Sequence, residues 1–209
     1  MDSNVTWEFE SWADRYDGIV ASNNDLYARY DEVLDAVVDV ARISPGQLVL
    51  DIGTGTGNLA ARCLDHGAIV TAVDPSQGML AVAAVKIGNH PCCQLQQVDQ
   101  PFLELPYADR HFDAIVSTYD YHHIPHDEKP AAIAEMLRVL RPGGVWAIGD
   151  LAFMNWEAEQ SALREYGDWL EQEYFTRIEE LGLIFSQCGM HLSSRQFTPV
   201  TWMLWAAKE

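Results

Sequence analysis

Leu50-Asp51-Ile52-Gly53-Thr54-Gly55-Thr56-Gly57-Asn58-Leu59 decides how this 209-residue chain reads. The apolar run Leu48-Val49-Leu50 before it has the length of a buried strand, and a helical pattern follows it. Three glycines at the junction let the backbone turn tightly and let a ligand approach without meeting a Cβ. The start of the following helix leaves free amide donors and a partial positive charge. Gly55-Thr56-Gly57-Asn58-Leu59-Ala60 satisfies the G-x-G-x-x-A spacing of dinucleotide loops. Asp51, two places before Gly53, argues against that use, because a carboxylate beside the cradle repels a pyrophosphate. It suits a ligand that carries an ammonium group. Gly53, Gly55 and Gly57 are therefore read as the cradle, with Asp51 beside it.

The next two strands end in the same way. Asp74 closes Ala68-Ile69-Val70-Thr71-Ala72-Val73, and Asp99 follows Gln94-Leu95-Gln96-Gln97-Val98. A carboxylate at the Asp74 position can accept from both hydroxyls of a ribose. Ser76 serves as the cap of the next helix, which relieves Asp74 of that duty. Met79, one turn on, offers an apolar surface to a flat ring. Asp51 and Asp74 lie 23 positions apart, and Asp74 and Asp99 lie 25 apart. Each interval holds one helix and one strand, so all three carboxylates are expected at one edge of the sheet, with Asp99 near an exocyclic amino group.

The rest of the chain fits that frame. Phe112-Asp113-Ala114-Ile115-Val116-Ser117 and Val145-Trp146-Ala147-Ile148-Gly149 continue the strand series, and Ala131 to Leu140 carries a helical stripe. Such alternation predicts a Rossmann-like, doubly wound α/β fold with a mostly parallel sheet. Near the end, only Phe197-Thr198-Pro199-Val200 separates two strand-like stretches. So short a link permits antiparallel pairing and no parallel crossover. One domain is expected over residues 1–209: an N-terminal helical cap (1–44), a ligand-binding core (45–150), a helical lid or insertion (151–188) and closing strands (189–209).

Composition narrows the function. Thirteen Lys and Arg against 31 Asp and Glu give a net charge of −18, a field that repels nucleic acid. No apolar run is long enough for a membrane span, and Met1-Asp2-Ser3-Asn4 opens without an apolar signal core, so a cytoplasmic protein is expected. Cys63, Cys92, Cys93 and Cys188 read as reduced core thiols, and neither Cys nor His spacing supports a metal.

The glycine loop, Asp74 and Asp99, together with Leu137-Arg138-Val139-Leu140-Arg141-Pro142-Gly143-Gly144, resemble the class I S-adenosylmethionine-dependent methyltransferases over residues 45–150. Trp12-Ala13-Asp14-Arg15-Tyr16-Asp17, Ser117-Thr118-Tyr119-Asp120-Tyr121-His122-His123 and Tyr174-Phe175-Thr176-Arg177-Ile178 are similar to small bacterial methyltransferases of Bacillus-like organisms. The resemblance implies S-adenosylmethionine as cofactor, with Gly53, Asp74 and Asp99 as contacts and an N-terminal helix that brings Tyr16 over it. Thr118, at the tip of the fourth strand, is taken as a further contact.

Methyl transfer from a sulfonium needs alignment and exclusion of water, and a base only if the acceptor must lose a proton. His122 and His123 follow the fourth strand and are the candidate bases. N-terminal Trp7, Phe9, Trp12 and Tyr16 recur at roughly helical spacing and read as core, while Trp156, Tyr166, Trp169, Tyr174 and Phe175 suit the lid of a pocket for a flat or apolar acceptor. The absence of an N/D-P-P-Y motif, with the net charge, favours a small-molecule acceptor. A nicotinamide-dependent oxidoreductase and a non-catalytic S-adenosylmethionine-binding protein are the alternatives. The sequence sets no oligomeric state.

Overall fold

A computed structural model describes residues 3–22, 26–166 and 173–209, with side chains described from residue 10 onward and not at 166. Eight strands form one sheet, in the order β3-β2-β1-β4-β5-β8-β7, with β6 paired to β5 off that path. The strands are β1 (Leu48–Ile52), β2 (Ile69–Asp74), β3 (Cys93–Gln97), β4 (Phe112–Thr118), β5 (Leu140–Phe153), β6 (Thr176–Arg177), β7 (Ser193–Gln196) and β8 (Thr201–Ala207). The helices are α1 (Ser3–Ala21), α2 (Tyr30–Val40), α3 (Asn58–Asp65), α4 (Gln77–Ile87), α5 (Lys129–Val139), α6 (Trp156–Tyr166) and α7 (Ile178–Gln187). Strands β1 to β6 pair in parallel, and β8 pairs antiparallel with both β5 and β7.

Both faces of the sheet are buried, which is why its strands read as continuous apolar runs. Val49, Ala72, Val116 and Ala147 face a core built with Val33, Leu34 and Val37 of α2 and Leu59 and Cys63 of α3. Leu50, Val73, Ile115 and Trp146 face the opposite core, with Ile133 and Met136 of α5 and Leu181 and Phe185 of α7. Trp146 is fully buried, and its Nε1 donates to the Met136 sulfur at 3.3 Å.

Several details depart from the sequence reading. Strand β5 begins at Leu140, so Pro142-Gly143-Gly144 lies within it; its register against β4 shifts between Phe112 and Ala114, and Gly143 has φ 78°. The segment expected as a helical lid or insertion over 151–188 contains the two-residue strand β6 between α6 and α7. Cys188 is exposed and Cys92 and Cys93 are only half-buried, so Cys63 alone is a core thiol, and all four are free. Trp7 and Phe9 belong to α1, but their side chains, that of Tyr166 and all of Trp169 lie outside the described parts. No helix among the described residues is long and apolar enough to cross a membrane.

Helix α2 lies against β5 at Gly149, where a Cβ would collide with Val33 Cγ1 and come to 3.3 Å from Val37 Cγ2. That close approach leaves no volume for a methyl group in a rigidly packed core. Gly149→Ala is therefore expected to destabilise the fold by roughly 1–3 kcal/mol, read as a lower midpoint in urea with an unchanged slope.

Candidate functional site

The carboxyl ends of β1, β2 and β4 open into one cleft. Its walls are Gly53 and Gly55 after β1, Asp74, Pro75 and Met79 after β2, Thr118, Tyr119 and Asp120 after β4, and Tyr16 from α1. Strand order reverses between β1 and β4, so the crevice lies where an open α/β sheet binds its ligand.

Each part of the glycine loop is fixed differently. Gly53, Gly55 and Gly57 have φ of 66°, 53° and 82°, in the left-handed region that a side chain strains. A Cβ on Gly57 would press on Ile87 Cδ1 at 2.9 Å, so this glycine serves packing of α3 on α4. A Cβ on Gly53 would strike the Asp120 carboxylate, whereas one on Gly55 would enter open space. The cradle that a ligand can fill is thus centred on Gly55.

Asp74 ties the loop together: Oδ2 accepts from the Gly55 amide and Oδ1 from the Ser76 amide, both at 2.8 Å. Ser76 caps α4 through its Oγ, which accepts from the Met79 amide. Burial lifts the Asp74 carboxyl to about 6 despite these two donors. Asp51 is 1% exposed and lies beneath the loop, outside the cleft wall. Its Oδ2 accepts from Thr54 Oγ1 at 2.6 Å, while its Oδ1 is buried without a hydrogen bond. Burial, aided by the Asp74 charge, raises it to about 7. Asp99 is exposed beyond the end of β3 and takes no part in the wall.

Three residues that had no assigned role in the sequence reading belong to the site. Asp120 stands in the wall, and its Oδ2 is buried without a partner. Burial raises it to about 7, opposed by nearby His123 and reinforced by Asp74, Asp150 and Asp51. Glu10 and Asp17 latch α1 over the cleft. Glu10 accepts from Ser76 Oγ and the Gly78 amide. Asp17 accepts from Thr56 Oγ1 at 2.6 Å and pairs with Lys86 at 2.9 Å. These donors hold the Asp17 carboxyl below its usual range although burial works the other way. With α1 latched, Tyr16 reaches the cleft, edge-on to Tyr27 at 6.2 Å. Tyr30 stacks on Tyr119 at 5.4 Å and completes an aromatic group beside the cleft.

His122 and His123 form a 3-10 turn just past the wall. His122 is 5% exposed, and Asp150 accepts from its backbone amide at 2.9 Å and meets its ring Nδ1 at 2.5 Å. Burial disfavours the imidazolium, but Asp150 more than offsets this, and the His122 pKa is raised. The His123 ring Nδ1 meets Glu173 at 2.9 Å, and the two imidazoles are 4.0 Å apart. One potential ligand atom from each of His122, His123 and Glu173 lies within 4.8 Å of the others, the one such metal-type grouping among the described residues.

The cleft fits a ligand with a nucleoside end and a cationic end: open space at Gly55, a carboxylate at the tip of β2, and an orphaned carboxylate oxygen over Gly53. A family model described as a methyltransferase domain matches residues 49–144. An uncharacterized methyltransferase of Geobacillus kaustophilus is 35% identical over 213 positions, which cover 96% of this chain and 95% of that protein. Among solved structures, the complex of DhpI with S-adenosylhomocysteine superposes with a TM-score of 0.73 at 20% identity, over 97% of this chain and 94% of that one. The magnesium protoporphyrin IX methyltransferase of Synechocystis, with S-adenosylhomocysteine bound, gives 0.72 at 18% identity, over 90% and 87%. The two structures share the fold with this chain.

Three raised carboxyls make stability depend on pH. In the unfolded chain they titrate near 4, whereas Asp51, Asp74 and Asp120 hold their protons to about 7, 6 and 7 when folded. Between these limits the folded state binds more protons, so stability falls as pH rises. The raised His122 acts in the same direction and the lowered His126 against it, while the lowered carboxyls Asp17, Glu135 and Glu173 act at and below the ordinary carboxylate range. Lys129, lowered by burial to about 8, acts above this range. The ligand-free protein is expected to melt at a lower temperature at pH 8 than at pH 5. Asp51→Asn, which retains an acceptor for Thr54, should narrow that gap; equal slopes in calorimetric scans of both proteins would contradict the assignment.

Proposed function

The chain belongs to the methyltransferase family, with S-adenosylmethionine as its methyl donor, and we propose that its acceptor is a small molecule. The observation that carries this reading is the confined cleft, roofed by α1 through Glu10 and Asp17 and walled by carboxylates and tyrosines. A polyanionic acceptor would meet both that wall and a net charge of −18. The Synechocystis neighbour, named for magnesium protoporphyrin IX, points to the same class of acceptor.

The bound donor supplies an electrophilic methyl group. The protein's part is then to hold, orient and exclude water. Gly55 gives the donor room, and Asp74 offers its remaining lone pairs to the ribose hydroxyls while its amide partners keep it in place. Met79 and Tyr16 cover the apolar parts, and Thr118 borders the transfer site. Gly53 and Gly57 shape the loop and Asp51 braces it through Thr54.

The two histidines take different roles in this proposal. His122 receives Asp150 on both its amide and its ring, which raises its pKa and anchors the turn to β5. His123, nearer to Asp120 and oriented by Glu173, is the proposed base for an acceptor that must lose a proton.

Three measurements test the reading. S-adenosylhomocysteine should bind with micromolar affinity, about −8 kcal/mol, and Asp74→Ala should weaken it at least tenfold with the fold intact. In an acceptor screen that follows S-adenosylhomocysteine formation, turnover should come from small molecules; turnover with RNA or protein alone would overturn the acceptor class. With the acceptor in hand, His123→Ala should slow single-turnover transfer by ~10²–10⁴-fold and leave product affinity nearly unchanged. A rate within twofold of wild type would assign His123 to positioning of the Glu173 segment.

A further inference from the structure

We infer that the Asp120 carboxylate is the counter-charge that receives the α-ammonium of bound S-adenosylmethionine. This rests on the cleft being the donor site, and it moves the ammonium from Asp51, where the loop motif alone would put it, to the turn after β4.

Position is the first argument. Asp51 lies under the loop and outside the wall, while Asp120 is in the wall with its carboxylate directly over Gly53, the first glycine of the loop. The space that a side chain on Gly53 would take is used by a carboxylate from another strand. Gly53 thus makes room for Asp120, and Gly55 makes room for the ligand.

The second argument is that the fold leaves one oxygen of this carboxylate without a hydrogen bond, with His123 as the nearby charge that favours its ionised form. Asp120 immediately precedes the 3-10 turn yet makes no side-chain cap to it. Its Oδ2 is shut off from solvent and accepts no hydrogen bond. Among the described residues, no Lys or Arg forms an ion pair with Asp51, Asp74 or Asp120. A buried carboxylate without a partner is costly, and a ligand ammonium supplies both the charge and the donors it lacks.

The third argument is strain. Tyr119, the residue before Asp120, has φ 53°, a left-handed conformation that a bulky side chain adopts only when its surroundings enforce it. Its amide donates to the Gly149 carbonyl at 2.9 Å, and its ring stacks on Tyr30. This turns the chain so that the next side chain swings back over the glycine loop. The neighbouring Asp74, Asp150 and Asp51 charges that hold Asp120 partly protonated would favour a cation there all the more.

The test pairs a change in the ligand with a change in the protein. Calorimetry would measure S-adenosylhomocysteine and its analogue with hydrogen in place of the α-ammonium, against wild type and Asp120→Asn. Wild type should prefer S-adenosylhomocysteine at least tenfold, and the variant should bind the two within about twofold of each other. A preference that persists in the variant, or is absent from wild type, overturns the inference. So does a folded variant that loses both ligands equally. If Asp120→Asn fails to fold by circular dichroism, Asp120→Ser is read on the same ratio. Wild type that binds neither ligand at millimolar concentration would instead reject the donor site itself.

Discussion

Parallel strands can be joined only by crossovers, and each crossover returns the chain to the amino end of the sheet, so every parallel strand delivers its carboxyl end to one edge. In this protein β1, β2 and β4 deliver Asp51, Asp74 and Asp120 to that edge, where packing buries Asp51 and Asp74 and shuts one oxygen of Asp120 off from water. The glycine loop supplies the Gly55 amide to Asp74 and the Thr54 hydroxyl to Asp51, and Ser76 supplies a second amide to Asp74. One oxygen each of Asp51 and Asp120 is left without a hydrogen bond. The shape of the loop, the raised carboxyls and the fitness of the cleft for a cation are consequences of one topological rule.

That rule also explains what could be read from the sequence. The loop motif, the continuous apolar runs and the four-residue link before β8 are local signals, and each is specified by adjacent residues. They are enough for a Rossmann-like fold with antiparallel closing strands, and for the placement of Gly53, Gly55, Asp74, Met79, Thr118 and Tyr16 around one cleft. Asp99 continues the series Asp51, Asp74 in sequence; it is exposed just past β3, the edge strand, whose end pairs with the Asp74 tip of β2. Asp120 was hidden by its neighbours: in Thr118-Tyr119-Asp120-Tyr121-His122-His123 the histidines draw attention by their chemistry, and only the left-handed Tyr119 reveals which side chain turns inward. Glu10 and Asp17 reach partners 39 to 69 positions away, a range at which no local pattern operates.

The two amino-terminal helices are held by different forces, and this bears on how a ligand enters. Helix α2 buries Val33, Leu34 and Val37 completely against the sheet. Apolar side chains removed from water in this way stabilise by roughly 1.5–3 kcal/mol each. Among its described side chains, helix α1 buries Ala13 and Val20 and meets the cleft and the start of α4 through Glu10, Tyr16 and Asp17. Its one Lys contact, between Lys86 and Asp17, is partly solvent-exposed, and such pairs contribute about 0–1 kcal/mol. Local opening draws on the least buried contacts first. Among the described residues, the contacts that break if α1 lifts include those to Thr56, Ser76 and Gly78, at the loop and the start of α4. The donor site and its roof share hydrogen bonds, so anything that orders the glycine loop also favours a closed α1 and brings Tyr16 down onto the cleft.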